Sequence, residues 1–124
     1  MKIKTDKADK MFSLYIRTRD KWTCRRCRRK HEEGSRGLHC SHYFGRGKET
    51  VRFDPRNCDA LCFACHNLWG HGDERDRYTE FKKKQLGENE FKILEMEAYR
   101  TGKKDRKTAY LVARQLYEDL LKTQ

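Results

Sequence analysis

The chain has 124 residues, of which 35% are hydrophobic and 40% charged, so it provides one domain's worth of sequence with little apolar material for a large core. The net charge of +11 is concentrated in residues 1–50, which carry 15 Lys and Arg against 6 Asp and Glu, whereas residues 51–124 carry 15 against 13. This asymmetry favours a polyanionic partner, because neutralising phosphates releases condensed counterions. A soluble basic protein without such a partner is the competing interpretation.

Membrane insertion and secretion are not expected. The sequence contains no apolar run of about 18 residues, and its N-terminus lacks the apolar segment of a signal peptide. We therefore expect a cytoplasmic protein with no membrane partner, or one in the host cytoplasm if a phage encodes it. In that reducing compartment, paired cysteines indicate metal ligands rather than disulfides.

The first predicted elements are a helix and two strands. Apolar residues recur at helical spacing over residues 6–20, with Thr5 or Asp6 as the N-cap. Residues 38–44 and 58–62 predict two short antiparallel strands joined by a long loop, and a short helix should run from about Phe63 to Gly70.

The C-terminal part, residues 73–124, predicts three helical segments, two of them ended by glycine C-caps at Gly87 and Gly102. The last segment carries an apolar stripe that should pack on the N-terminal helix or on a second copy of the chain, as a homodimer through the helical segments. Its members are Tyr110, Leu111, Leu116, Tyr117, Leu120 and Leu121. The predicted fold class is α+β, with one domain over residues 1–124.

Two Cys-x-x-Cys pairs, separated by 34 residues, give the strongest metal signal in the chain. Two such pairs can present four thiolates tetrahedrally to Zn²⁺, so they predict a structural zinc site. The ligands would be Cys24, Cys27, Cys62 and Cys65. Cys40 and Cys58, one on each predicted strand, are interpreted as small buried hydrophobes. The alternative is that one of them takes the place of a cysteine of the Cys-x-x-Cys pairs as a zinc ligand.

Three polar residues have a spacing that suggests catalysis. Fourteen residues separate His42 from Asn57, and eight separate Asn57 from His66. On a strand, a loop and a helix, they would form a finger able to hydrolyse a phosphodiester with one divalent metal. His42 would be the general base and His66 a metal ligand.

This pattern resembles the HNH endonucleases, also called ββα-metal or His-Me finger nucleases. The similarity is carried by SHY with His42, RNCDALC with Asn57 and CFACHN with His66, and the two Cys-x-x-Cys pairs resemble the zinc-bearing members. The sequence LHCSHYFGRG, followed by VRFDPRNCDALC, further resembles phage recombination nucleases of the Rap type. The resemblance implies a zinc-stapled finger over residues 22–72, between the N-terminal helix and a helical extension.

The resemblance also implies roles for individual residues. His42 would activate water, His66 would bind a catalytic Mg²⁺ or Mn²⁺, and Asn57 would either brace the loop that orients His42 or approach the metal. Most members place Asp or His just before the base, whereas this chain has Ser41, a poor ligand. His39, on the same strand face, or Asp59 would then complete the metal shell.

Basic residues around the finger predict contacts with DNA. Arg46 lies between two glycines, where its guanidinium could grip the scissile phosphate. A flexible loop arginine is the alternative. The residues around the first cysteine pair are predicted to contact phosphates without reading bases, and they are Arg25, Arg26, Arg28, Arg29 and Lys30.

Two functions remain open from the sequence. The first is a metal-dependent HNH endonuclease that nicks or cleaves DNA. The second is a zinc-ribbon DNA-binding module whose finger cleaves weakly or not at all. His71, just after the short helix, is expected at a helix end or near the substrate.

Overall fold

A computed structural model describes residues 3–124, so Met1 and Lys2 of the predicted domain lie outside the described residues. In chain order the elements are α1 (Lys7–Arg19), β1 (Leu38–His42), β2 (Cys58–Cys62), α2 (Phe63–His66), α3 (Arg75–Leu86), α4 (Glu88–Ala98) and α5 (Arg106–Lys122). The predicted α+β class is confirmed. No helix within these residues has both the length and the hydropathy needed to cross a membrane.

Helix α1 begins with a reciprocal cap. The Asp6 carboxylate accepts a hydrogen bond from the backbone N–H of Asp9 at 2.9 Å, and the Asp9 carboxylate accepts one from the N–H of Asp6 at 2.9 Å. Asp6, rather than Thr5, is therefore the N-cap. The apolar face of the helix buries Ala8, Phe12 and Ile16.

The sheet consists of β1 and β2, paired antiparallel, with Leu38 opposite Cys62 and His42 opposite Cys58. Strand β1 ends at His42 rather than at residue 44, although the backbone N–H of Tyr43 still donates to the carbonyl of Asn57 at 2.8 Å. Because side chains alternate along a strand, Cys40 and His42 face one side of the sheet, and His39 and Ser41 face the other.

Helices cover both faces of this small sheet. On one face, Cys58 belongs to a buried cluster with Phe12 and Ile16 of α1 and Ala113 of α5. On the other face the core is aromatic, and Trp69 stacks on Tyr78 with ring centroids 5.0 Å apart. The sheet therefore positions two separate sets of polar side chains, one towards α1 and one towards α2 and α3.

Helix α2 continues through a π-helical turn at Asn67–His71, so the predicted short helix extends one residue past Gly70. Gly87 ends α3 with φ of 86°, as predicted for a glycine cap. Gly102 does not cap α4, which ends at Ala98. A Cβ on Gly102 would lie 2.6 Å from Cγ2 of Thr50, so close packing against that residue explains the glycine instead.

Helix α5 packs against α1, the first of the two alternatives for its apolar stripe. Ala113 is buried at this contact, and Lys7 lies 4.4 Å above the ring of Tyr110. Leu111 and Leu121 are exposed, contrary to the prediction that the whole stripe packs, because they fall to one side of the face centred on Ala113.

Candidate metal-binding and active site

The four cysteines of the two Cys-x-x-Cys pairs come together. Their Sγ atoms all lie within 4.8 Å of one another, and Sγ of Cys27 is 4.0 Å from Sγ of Cys62. Tetrahedral coordination with bonds of about 2.3 Å places sulfurs about 3.8 Å apart, so the cluster could bind a metal ion. The turn after Trp22 supplies one pair, and the junction of β2 with α2 supplies the other.

The surroundings of this cluster favour thiolates at one ligand and disfavour them at another. Burial opposes ionisation of Cys24, but backbone N–H groups of Cys62, Cys27 and Arg26 donate to its sulfur and lower its pKa to about 7. Burial raises the pKa of Cys65 to about 12, although Arg26 donates to its Sγ at 3.3 Å. A bound cation would offset the desolvation that keeps the Cys65 thiol protonated.

A second pair of potential ligands joins β1 to α2. Nδ1 of His39 and Nδ1 of His66 are 3.1 Å apart. Two imidazole nitrogens bound to one ion at about 2.1 Å are separated by about 3.0 to 3.4 Å, so this pair could share a divalent ion. Gly70 leaves room for it, because a Cβ at that position would lie 2.9 Å from Cδ2 of His66.

Both imidazoles of this pair are neutral at neutral pH. Burial lowers the pKa of His66 to about 4, with further contributions from the neighbouring imidazoles. Burial also lowers the pKa of His39. Only a neutral imidazole has a free lone pair for a metal. The ring of His71 lies 5.2 Å from that of His66, at the edge of the same group.

Ser41 and Asp59 do not contribute to this pair. The Ser41 hydroxyl is fully buried, and its Oγ lies 3.3 Å from the hydroxyl oxygen of Tyr78. Asp59, one of the two residues expected to make up for Ser41, is also fully buried, and its carboxylate accepts hydrogen bonds from Tyr78, Lys82 and Gln85. This use of both carboxylate oxygens is contrary to the expectation for Asp59 and leaves His39 as the partner of His66.

His42 is held in one tautomer by the loop between the strands. Its Nε2 lies 2.9 Å from the backbone carbonyl of Arg52. A carbonyl can only accept, so Nε2 carries the proton and Nδ1 has a free lone pair. Burial lowers the pKa of His42 to about 4, which keeps the ring neutral at physiological pH. A neutral imidazole with one free nitrogen has the form that a general base requires.

Sequence reasoning did not find the residue pair that fixes this loop. Arg52 is buried, and its guanidinium donates to both carboxylate oxygens of Asp9 in α1, at 2.9 and 2.5 Å. The contact anchors the backbone whose carbonyl holds His42. No local pattern links positions 43 residues apart, although an acidic residue beside the apolar face of α1 was an available signal.

Asn57 braces the same loop from inside. Its Oδ1 accepts from the N–H of Phe44 at 2.8 Å, and its Nδ2 donates to the carbonyls of Phe44 and Val51 at 2.9 and 3.1 Å. The side chain is fully buried. These contacts fit the loop-bracing role.

A cleft of about 810 Å³ joins these groups at the surface. His42 and the His39–His66 pair line it, together with Arg46, whose guanidinium donates to Oγ1 of Thr5 at 2.8 Å. Arg17 and Arg36 add positive charge to its wall. The cleft thus combines a neutral base, a pair of metal-competent nitrogens and cationic side chains.

The basic residues around the first cysteine pair differ in their exposure and in the contacts that they already make within the protein. Arg28, Arg29 and Lys30 are exposed and available to a polyanion. Arg26 is committed to the Glu74 carboxylate, at 2.9 and 3.0 Å, and to Cys65. The guanidinium of Arg25 lies 5.8 Å from the ring centroid of Phe81. The predicted phosphate contacts therefore have their strongest structural basis at residues 28–30.

No protein-family model, curated protein or solved structure matches this chain.

Proposed function

We propose that this protein is a metal-dependent endonuclease of the HNH, or ββα-metal, type that nicks or cleaves DNA. The observation that carries the proposal is that one cleft is lined both by a neutral His42 with a free Nδ1 and by two neutral histidines spaced for one divalent ion. These are the two chemical requirements of metal-assisted phosphodiester hydrolysis. The order of two antiparallel strands followed by α2 supports the proposal, because it is the element order of that type.

In the proposed reaction, Nδ1 of His42 removes a proton from water as the water oxygen attacks phosphorus. The bond from phosphorus to the 3′ oxygen breaks, and the 3′ oxygen leaves with the electron pair and takes a proton from solvent. The carbonyl of Arg52 keeps the ring oriented throughout, and Asn57 holds the loop that carries that carbonyl. Mg²⁺ or Mn²⁺ held by His39 and His66 would stabilise the charge that develops on the phosphate and the leaving oxygen.

Zinc in the four-cysteine cluster would have a structural role in this proposal. Cys62 and Cys65 lie at the start of α2. A metal bound there would tie the helix that carries His66 to the turn that carries Cys24 and Cys27. Arg46 would exchange its contact with Thr5 for a bidentate contact with the scissile phosphate. The exposed residues 28–30 would bind neighbouring phosphates irrespective of sequence.

Incubation with supercoiled plasmid and Mg²⁺ or Mn²⁺ tests the proposal. We expect the parent to produce nicked or linear plasmid, and His42→Ala to lose about 100-fold or more of the rate, the usual contribution of a general base. His31→Ala is the matched control, because His31 is not among the residues that line the cleft. Equal rates for the parent and His42→Ala would overturn the assignment of the base.

The alternative is a DNA-binding module that does not cleave. The specific observation in its favour is that the Ser41 hydroxyl is buried beside Tyr78. The ion would then have only His39 and His66 as protein ligands. In this case the parent would shift DNA in a gel at low salt but leave the plasmid intact with every divalent ion tried.

A further inference from the structure

Three potential metal ligands lie together on the α1 face of the sheet, outside both groups described above. Cys40, His42 and Cys58 bring their ligand atoms within 4.8 Å of one another. We propose that they form a second site for a thiophilic divalent cation such as Zn²⁺, and that a cation bound there blocks His42.

The register of the sheet creates this cluster. His42 is directly opposite Cys58, and Cys40 precedes His42 by two residues, so all three side chains fall on one face. Two sulfurs and one imidazole are a donor set that zinc accepts with one open position. Cys40 and His42 also line the cleft, so a cation has a route from solvent and the fourth position can hold a water molecule.

The tautomer of His42 decides which nitrogen would bind. Because Nε2–H donates to the carbonyl of Arg52, the lone pair available to a cation is on Nδ1. At histidine metal ligands, one ring nitrogen usually binds the metal while the other donates to a backbone carbonyl or a carboxylate. Nδ1 is also the atom assigned above to remove the proton from water, so one lone pair cannot serve both purposes. The inhibitory consequence rests on the proposed nuclease function, whereas the binding itself does not.

The two cysteine-containing sites share no ligand and differ in strength. The Cys24–Cys27–Cys62–Cys65 cluster offers four sulfurs, and the Cys40–His42–Cys58 cluster offers two sulfurs and a nitrogen. The four-sulfur cluster should therefore fill first. Zinc in excess of about one equivalent per chain then occupies the second site, and activity falls as this occupancy rises.

Cobalt binding tests the site without any measurement of cleavage. The full-length protein, with one equivalent of zinc and a phosphine reductant, is titrated with Co²⁺, and the sulfur-to-cobalt charge-transfer absorbance is recorded. In the parent and in His31→Ala, we expect about one equivalent of Co²⁺ to bind with this charge-transfer band. In Cys40→Ser, we expect the band to be lost. An unchanged band in Cys40→Ser would overturn the proposal.

His42→Gln provides a second variant, because it leaves both sulfurs in place but removes the nitrogen. It should weaken the added cobalt binding at least about tenfold, since one of three protein ligands is lost. Folding of both variants is checked by circular dichroism. Equal affinity in His42→Gln and the parent would overturn the role of the imidazole.

Cleavage assays then test whether a bound cation blocks His42. For each protein, the cleavage rate in excess Zn²⁺ is divided by the rate without excess Zn²⁺. For the parent, this ratio should fall by about 100-fold when free zinc is 100 times its dissociation constant, because only the unoccupied fraction is active. The fall should be much smaller in Cys40→Ser. Equal falls would overturn the block of His42. A parent that never cleaves would refute the nuclease function, while the cobalt titration would still decide whether the site exists.

Discussion

Individual side chains in the cleft owe their chemistry to burial and to one or two hydrogen bonds. His42 illustrates this, because desolvation lowers its pKa from 6.5 to about 4 while a backbone carbonyl selects its tautomer. The lowered pKa makes the His42 imidazole a weaker base, but it keeps the ring unprotonated at physiological pH. In the proposed reaction the same burial opposes the imidazolium form of His42, so the proton that it takes up must be passed on quickly.

The depressed pKa of His42 predicts a pH dependence of stability. Between pH 6.5 and about 4 the unfolded chain binds a proton at this residue that the folded protein does not, so the free energy of unfolding falls as pH falls. The stabilisation is fully present above pH 6.5 and declines by at most about 1.4 kcal/mol per pH unit. Urea unfolding of the parent and of His42→Gln, each loaded with one equivalent of zinc, measures it, and parallel pH profiles for the two proteins would contradict it.

Exchanging one heavy atom of the Asn57 side chain should have a large effect on stability. In Asn57→Asp the side chain keeps its shape but can no longer donate to the carbonyls of Phe44 and Val51. Leaving these buried groups unpaired should lower the free energy of unfolding by about 2 to 5 kcal/mol. Urea denaturation gives the value, with the exposed Asn67→Asp as the control. A variant as stable as the parent would refute the loop-bracing role.

At the scale of elements, a buried polar network fastens β2 to α3. Lys82 is 1% exposed and its Nζ lies 3.1 Å from the fully buried carboxylate of Asp59. Tyr78 and Gln85 of the same helix also donate to that carboxylate, at 2.9 and 3.0 Å. The network fixes α3 over the sheet face that carries Ser41, which is why the Ser41 hydroxyl faces Tyr78 and not the cleft.

Lys82→Met tests this network. It leaves the Asp59 carboxylate buried without its counter-charge, so we expect a loss of about 3 to 5 kcal/mol in the free energy of unfolding. The double variant Lys82→Met/Asp59→Asn should recover part of this loss, because the uncompensated charge is then removed. Lys83→Met, at an exposed position of the same helix, should change stability by less than about 0.5 kcal/mol. A double variant less stable than Lys82→Met would argue against the charge as the cause.

At the scale of the whole molecule, the two halves of the chain meet through the cysteine cluster and through the packing of α5 on α1. The core is small and divided by the sheet, so a bound metal would supply much of the stability that a larger apolar core gives other domains. Metal content and folding should therefore be linked.

Metal removal is expected to unfold the protein. Protein purified without added metal should contain about one tightly held zinc per chain, and a strong chelator should abolish cooperative thermal unfolding. Cys62→Ser should behave like the chelated parent, whereas Cys40→Ser makes the same chemical change outside the four-cysteine cluster and should retain that zinc. Elemental analysis and circular dichroism measure both effects. A folded, metal-free Cys62→Ser protein would refute a structural metal.

The features that the sequence predicted are those with short-range causes. The Asp6 and Gly87 caps follow from local backbone preferences, and the two strands were predicted from the residue pattern within each segment. The four-cysteine cluster was predictable as well, because the spacing within each Cys-x-x-Cys pair already fixes two ligands locally. Gly102 was misassigned, since a contact with the distant Thr50 explains it and a local helix signal does not.

The sequence by itself therefore determined the elements, the cysteine cluster and the candidate residues His42, Asn57 and His66. Tertiary structure alone decided which groups those residues face. It paired His39 with His66, joined Arg52 to Asp9 behind His42, and buried Asp59 against Lys82. The physical reason is that burial and charge pairing depend on which helix covers each face of the sheet, and positions dozens of residues apart carry no local trace of that choice.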